Sequence, residues 1–351
     1  MVTNSLPARH SPAPSTWQQE LAQAITDPLV LLRELGLTPE ALGESAEALA
    51  AAARVFPVRV PRSLLARMRP GDPRDPLLLQ VLARGVEQEL RPGYGADPLN
   101  ESAARRAPGL LQKYAGRALL VTTGACAVHC RYCFRRDYDY AADTADADEH
   151  RWDSALAALE KDPSIEELIL SGGDPLSLSN GRLDSLLRRL VALPQLRRVR
   201  VHTRTPIVLP SRVDAGLTQL LGALPLALVV VVHANHPAEI DAEAQRALRA
   251  LRATGATVLN QSVLLAGIND SVAVLEALSR RLFDAGTLPY YLHLLDRVHG
   301  TAQFEVPEDR AVSLVEALNG QLPGYLVPRL VREVAGMPGK TPIATHRGGA
   351  H

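Results

Sequence analysis

The three cysteines of this chain all fall within eight residues, Cys126-Ala-Val-His-Cys130-Arg-Tyr-Cys133, and there are no others in its 351 residues. Three thiolates can hold three irons of a four-iron cluster and leave the fourth iron with an open position, where a ligand can bind and react. The alternative is a zinc site, which needs a fourth ligand to close its tetrahedron; His129 is the nearest candidate. An odd number of clustered thiols does not suit disulfides and fits a reducing compartment. A second signal is scarcity. Of 38 Lys plus Arg, only Lys113, Lys161 and Lys340 are lysines. Where arginine supplies almost every plain positive charge, a lysine stands out as an amine that can condense with an aldehyde, which a guanidinium cannot do. Lys340 lies in Gly336-Met-Pro-Gly-Lys340-Thr-Pro342, a turn that can present it; a solvent or phosphate-contacting lysine is the plainer reading. The third signal is Leu170-Ser-Gly172-Gly173-Asp174-Pro175. Two adjacent glycines let the backbone approach a ligand closely, and their carbonyls or the Asp174 carboxylate can accept from an ammonium group. Alone, that segment is a common turn.

These groups need a scaffold, and the rhythm of the chain supplies one. From residue 118 onward, short apolar runs at 118–123, 167–171, 199–203, 227–233, 257–264 and 289–295 alternate with helical patterns at 151–161, 179–192, 211–222, 238–253, 271–285 and 307–319. Runs apolar on both faces, separated by helices, predict a parallel sheet covered by helices. Six such units make a partial (β/α)6 TIM-like barrel, with a doubly wound open sheet as the alternative. Barrel-type sites lie at the C-terminal ends of the strands, and the loop after the first strand is the cysteine loop. Residues 1–16 are Pro/Ser-rich and are expected to be disordered. Residues 17–105 read as a helical N-terminal region, with helices expected over 17–25, 28–35, 39–55, 61–68 and 77–85. The barrel core is expected over 106–335, followed by a C-terminal segment, 336–351, that carries Lys340.

The bulk numbers narrow the class. A net charge of zero argues against a broad nucleic-acid surface. The most apolar run, 223–232, is too short to span a bilayer as a helix. The first residues lack the pattern of a signal peptide, so the reading is cytoplasmic.

The cysteine spacing, with Tyr132 just before the last thiol, resembles the cluster motif of the radical S-adenosylmethionine enzymes. The resemblance implies a [4Fe-4S] cluster on Cys126, Cys130 and Cys133, with S-adenosylmethionine on the open iron and an electron donor such as flavodoxin or ferredoxin. It also implies that Gly172, Gly173 and Asp174 receive the S-adenosylmethionine amino group. The segment around Lys340 is similar to the pyridoxal-phosphate lysine region of lysine 2,3-aminomutases. So are His202-Thr-Arg-Thr-Pro-Ile-Val-Leu-Pro210, His233-Ala-Asn-His-Pro-Ala-Glu-Ile240 and Leu259-Asn-Gln-Ser-Val-Leu-Leu-Ala-Gly-Ile-Asn-Asp270. The likeness runs from about 105 to 345. It implies an isomerase that converts (S)-α-lysine to (R)-β-lysine with pyridoxal 5′-phosphate held as a Schiff base on Lys340 and Tyr114 nearby. Arg135 would take the substrate carboxylate, and Asp296 with Glu333 its distant ammonium. Lys113 is the rival to Lys340, and His293 stands where the metabolic enzymes carry an aromatic hydroxyl.

Five further segments, beginning at Asp27, Val60, Pro108, Pro289 and Gly324, resemble the branch that serves β-lysylation of elongation factor P, working with its lysyl-tRNA-synthetase-like ligase. The eleven residues after Lys340, where the metabolic enzymes continue into an oligomer-contact segment, point the same way. Two other readings stand beside this one: a free amino-acid 2,3-aminomutase making β-amino acids for metabolism, and a non-catalytic iron–sulfur or zinc sensor.

Overall fold

The computed structural model describes residues 16–141 and 149–345; the segment expected to be disordered, apart from Thr16, lies outside them. Ten strands form one sheet whose spatial order follows the sequence. β1 (Arg105–Ala107) and β2 (Leu110–Tyr114) lead antiparallel into β3 (Arg117–Thr123). Parallel pairing then runs through β4 (Glu167–Gly172), β5 (Arg198–Thr203), β6 (Ala227–Val232), β7 (Thr257–Val263), β8 (Leu288–His293) and β9 (Arg329–Arg332). β10 (Thr341–Pro342) folds back antiparallel on β9.

A doubly wound sheet would reverse its strand order at a switch point; this one never does. It also curls. β2 and β9 are seven strand spacings apart, about 34 Å across a flat sheet, far more than two side chains can span. Yet Lys113 on β2 and Glu333, the residue after β9, meet at 2.9 Å. The architecture is therefore a partial barrel.

The helices between strands close its outer face. Asn180–Val191 buries Leu183, Leu186, Leu187 and Leu190, and Ala242–Ala253 buries Ala244, Ala247, Leu248 and Leu251. That spacing is one stripe of an amphipathic helix. Ser179, Asp214, Asp241 and Ser271 each cap a helix, accepting from a backbone N–H in its first turn. The six strands and six helices of the sequence rhythm are all present.

The sequence reading missed β1, β2, β9 and β10. They are short and only partly covered: Arg329-Leu-Val-Arg332 buries just its middle pair. The expected helix over 39–55 is split at Gly43, whose φ of 70° ends a single turn before Ser45 starts the helix Ala46–Val55. The expected helix at 77–85 shrinks to Pro76–Leu79, capped by Asp75, and a separate single turn, Gly85–Gln88, follows it. Leu31, Leu49 and Leu78 of the N-terminal region share one hydrophobic core with Leu120, Leu168 and Val199 of the barrel.

Candidate active site

The cysteine loop leaves β3 at Thr123 and is fixed from below by the N-terminal region. His129 N donates to Arg59 O at 3.1 Å and Arg131 N to Gln80 O at 2.8 Å. The Arg131 side chain, fully buried, pairs with Glu87 and donates to Phe56 O at 2.7 Å. His129 donates through Nδ1 to Pro57 O at 2.9 Å and stacks on Phe56, so its ring is already engaged below the loop. The three thiols line one cavity of about 360 Å3 inside the barrel. Among the described residues, no group of three or more His, Cys, Asp or Glu converges as a single metal ion requires. Three thiolates each binding a separate iron need no such convergence. Burial, reinforced by neighbouring negative charge, pushes Cys126 well above the usual thiol range and Cys133 to about 11. Coordination by metal is what ionises such thiols.

Gly172 and Gly173 end β4 against that loop. Gly172 has φ of 112°, and a Cβ there would lie 2.7 Å from Thr123 O; one on Gly173 would lie 2.4 Å from Ala125 O. Their lack of side chains thus seats the cysteine loop on the sheet. The Asp174 carboxylate is wholly engaged by the protein. Oδ1 accepts from Leu176 N (3.0 Å) and Thr203 Oγ1 (2.7 Å), and Oδ2 from Arg204 N (2.8 Å) and Thr205 N (3.0 Å). Asp174 lines the cavity together with Gly172 and Gly173, and its carboxylate ties the turn after β4 to the end of β5.

Arg135, two residues beyond the last cysteine, is held by Glu101. Nε donates to Oε2 at 2.7 Å and Nη2 to Oε1 at 2.9 Å, while Nη1 donates to Ser171 Oγ at 3.0 Å. Nη1 also donates to Gly172 O at 3.5 Å, so Glu101 takes the side-on edge and Nη1 faces the end of β4. Glu101 is also 3.2 Å from Lys113 Nζ, and Lys113 donates to Glu333 Oε1 at 2.9 Å. Lys340 donates to Glu333 Oε2 at 2.7 Å. The β9–β10 hairpin pairs Arg332 with Thr341, which sets the flanking Glu333 and Lys340 opposite one another. The result is an unbroken alternation of charge: Arg135, Glu101, Lys113, Glu333, Lys340.

Burial alone would raise Glu333, but the ammonium groups of Lys340 and Lys113 overcome it and hold the carboxyl at about 2. Asp296, just beyond β8, lines the same cavity and forms no ion pair among the described residues. Burial first, and then Glu333, push it up to about 7. Tyr114, with the Arg117 guanidinium 4.5 Å from its ring centre, also faces the cavity, its hydroxyl pushed up by burial and by Glu333. His202, His233 and His293 line the wall near Lys340 and are kept neutral by burial, His233 at about 3. Among the described residues the buried Nε2 atoms of His202 and His293 have no hydrogen-bond partner.

The sequence reading missed Glu101, Ser171 and Arg204. Arg204 donates through Nη1 to Cys130 Sγ at 2.7 Å and to the Tyr132 hydroxyl at 2.6 Å, and through Nη2 to Gln80 Oε1 at 2.8 Å and Glu239 Oε2 at 2.9 Å. It lies just past β5 in the His-Thr-Arg-Thr-Pro segment, and that place at the barrel mouth was the available signal. Nothing local marks Glu101 among 38 acidic residues.

A sequentially ordered partial barrel with a three-cysteine loop at the C-terminal end of its first parallel strand defines a radical S-adenosylmethionine type of α/β protein. Residues 115–199 match the family model described as a 4Fe-4S single cluster domain. The chain is 44% identical over 334 residues to the L-lysine 2,3-aminomutase of Escherichia coli (strain K12), covering 95% of this chain and 96% of that one. It is 43% identical over 325 residues to that of Haemophilus influenzae, covering 93% and 94%. Against that of Clostridium subterminale it is 35% identical over 280 residues, covering 80% and 67%. The chain belongs to the radical S-adenosylmethionine lysine 2,3-aminomutase family, and its activity is that of an isomerase of the aminomutase kind.

The cavity fits the groups such enzymes use. Three thiols at its rim match a [4Fe-4S] cluster with one open iron. A lysine amine beside unpartnered imidazole nitrogens suits a polar aldehyde cofactor such as pyridoxal phosphate.

Proposed function

We propose that this enzyme converts (S)-α-lysine to (R)-β-lysine in the cytoplasm for the β-lysylation of elongation factor P. The observation that carries the lysine reading is the layout of one cavity: a guanidinium at the cysteine loop, and two carboxylates, Asp296 and Glu333, beside Lys340. A zwitterion with a second ammonium at its far end complements that layout. The names of the matched relatives support the same substrate. The elongation factor P branch rests on the five segments beginning at Asp27, Val60, Pro108, Pro289 and Gly324.

In this reading Cys126, Cys130 and Cys133 hold the cluster, Gly172 and Gly173 shape the S-adenosylmethionine seat, and Lys340 holds pyridoxal phosphate with Tyr114 alongside. When bound, these groups supply a radical that removes a β hydrogen and an aldehyde that carries the migrating nitrogen. The chain does the rest. Arg135, gripped side-on by Glu101, meets the substrate carboxylate. Asp296 and Glu333 receive the ε-ammonium, which fixes lysine against shorter or neutral side chains. Asp296 and Lys340 line the same cavity as the cysteine loop, so substrate, cluster and cofactor amine meet in one place.

Reconstituted, reduced protein incubated anaerobically with lysine, S-adenosylmethionine and pyridoxal phosphate should yield β-lysine. Formation of 5′-deoxyadenosine with no β-lysine would refute the lysine reading. Intact mass of elongation factor P from cells lacking this enzyme tests the branch. An unchanged modification would leave a free amino-acid mutase as the reading.

A further inference from the structure

We propose that Arg204 sets the reduction potential of the iron–sulfur cluster, raising it through a charge-assisted hydrogen bond to the Cys130 sulfur. The inference rests on the reading that Cys126, Cys130 and Cys133 hold the cluster. Arg204 lies outside the matched cluster segment 115–199, yet no other guanidinium among the described residues donates to one of the three sulfurs. Its two terminal nitrogens have separate tasks. Nη2 meets Glu239 and Gln80; Nη1 meets Cys130 Sγ and the Tyr132 hydroxyl. The backbone N–H of Arg204 is held by Asp174 Oδ2, so the residue is anchored at the end of β5, and its side chain is almost wholly enclosed.

A structural role explains Nη2, which joins the N-terminal region, through Gln80, to the turn carrying Glu239. It does not explain why Nη1 is aimed at a sulfur. Reduction adds one negative charge to the cluster and its thiolates. A fixed positive charge against one of those sulfurs stabilises the reduced form more than the oxidised one, and it does so strongly where water is excluded. Glu239 balances that charge from the other nitrogen, so the positive end of the ion pair faces the cluster. The two residues should therefore act in opposite directions: losing Arg204 makes the cluster harder to reduce, and losing the Glu239 charge makes it easier.

The test is a redox titration of the anaerobically reconstituted full chain, followed by the electron paramagnetic resonance of the reduced cluster, with iron and sulfide counted in parallel. Arg204→Gln should shift the midpoint to more negative potential, Arg204→Lys should remain nearer the wild type, and Glu239→Gln should shift it to more positive potential. Unchanged midpoints in fully loaded Arg204→Gln and Glu239→Gln would overturn the proposal. If Arg204→Gln fails to load, Glu239→Gln decides: a positive shift supports the proposal and none refutes it. Wild-type protein that assembles no four-iron cluster, or Cys130→Ala protein with an unaltered one, would instead overturn the cluster reading itself.

Discussion

Asp296→Asn should make the cofactor-free protein more stable and the enzyme worse. The Asp296 carboxyl is pushed up from its ordinary 3.8 to about 7, by burial and then by Glu333. A gap of about three pH units corresponds to about 4 kcal/mol. Asp296 faces the cavity, where water screens part of the charge, so about 2–4 kcal/mol is expected. The direction follows from proton linkage. Below pH about 4 the carboxyl is protonated in both folded and unfolded chains, and nothing is lost. As pH rises toward 7 the unfolded chain ionises freely and the folded one resists, so stability falls; above 7 the full cost applies. Asparagine has the shape of the neutral acid and cannot ionise. With about 2.1 cal/mol/K of unfolding entropy per residue over the whole chain, the variant should melt about 3–5 °C higher than wild type at pH 8, converging as pH falls toward 4. Thermal unfolding of cofactor-free protein, followed by circular dichroism across that range, measures it. Equal melting temperatures at pH 8 would show that the buried charge is not strained. The same variant should bind lysine far more weakly while S-adenosylmethionine binding holds, because only an arriving ammonium gives this carboxylate a partner. Equal losses of both ligands would refute the ammonium role.

Lys340→Ala should abolish the visible absorbance of bound pyridoxal phosphate while iron content stays at the wild-type level. A persisting band would move the assignment to Lys113, which shares Glu333 with it. Gly173→Ala places a methyl group 2.4 Å from a backbone oxygen that cannot step aside, so the cysteine loop must move. Iron loading should fall sharply, whereas Gly181→Ala, with open space around its Cβ in a helix, should load normally; equal loading in both would refute the close-packing argument.

The barrel was legible because burial on both faces of a strand leaves a continuous apolar run, and Val230-Val-Val232 is such a run. The flanking strands were not, since Leu110–Tyr114 runs from buried to half-buried and Arg329–Arg332 buries only its middle pair, neither with a clean alternation. In the site, the cysteine spacing and the lone C-terminal lysine are local patterns and could be read directly. Glu101 and Arg204 act on residues 34 and 74 positions away, and only the tertiary fold brings those partners together. Asp174 shows the opposite limit. Its type and place suit a ligand, but the donors of Leu176, Thr203, Arg204 and Thr205 that hold its carboxylate are not oriented by the sequence.

The seam between β2 and β9 has a thermodynamic consequence. Among the described residues β2 and β9 are not hydrogen-bonded neighbours in the sheet; Lys113 reaches across to Glu333. Contact across the seam and binding of a cation at Glu333 therefore both draw on one carboxylate, whose Oε1 is the oxygen that Lys113 holds. Any ammonium that takes Glu333 from Lys113 loosens the seam. By reciprocity, whatever widens the seam improves access for an ammonium by an equal factor. The gap in the staves and the occupancy of the site are two readings of one equilibrium.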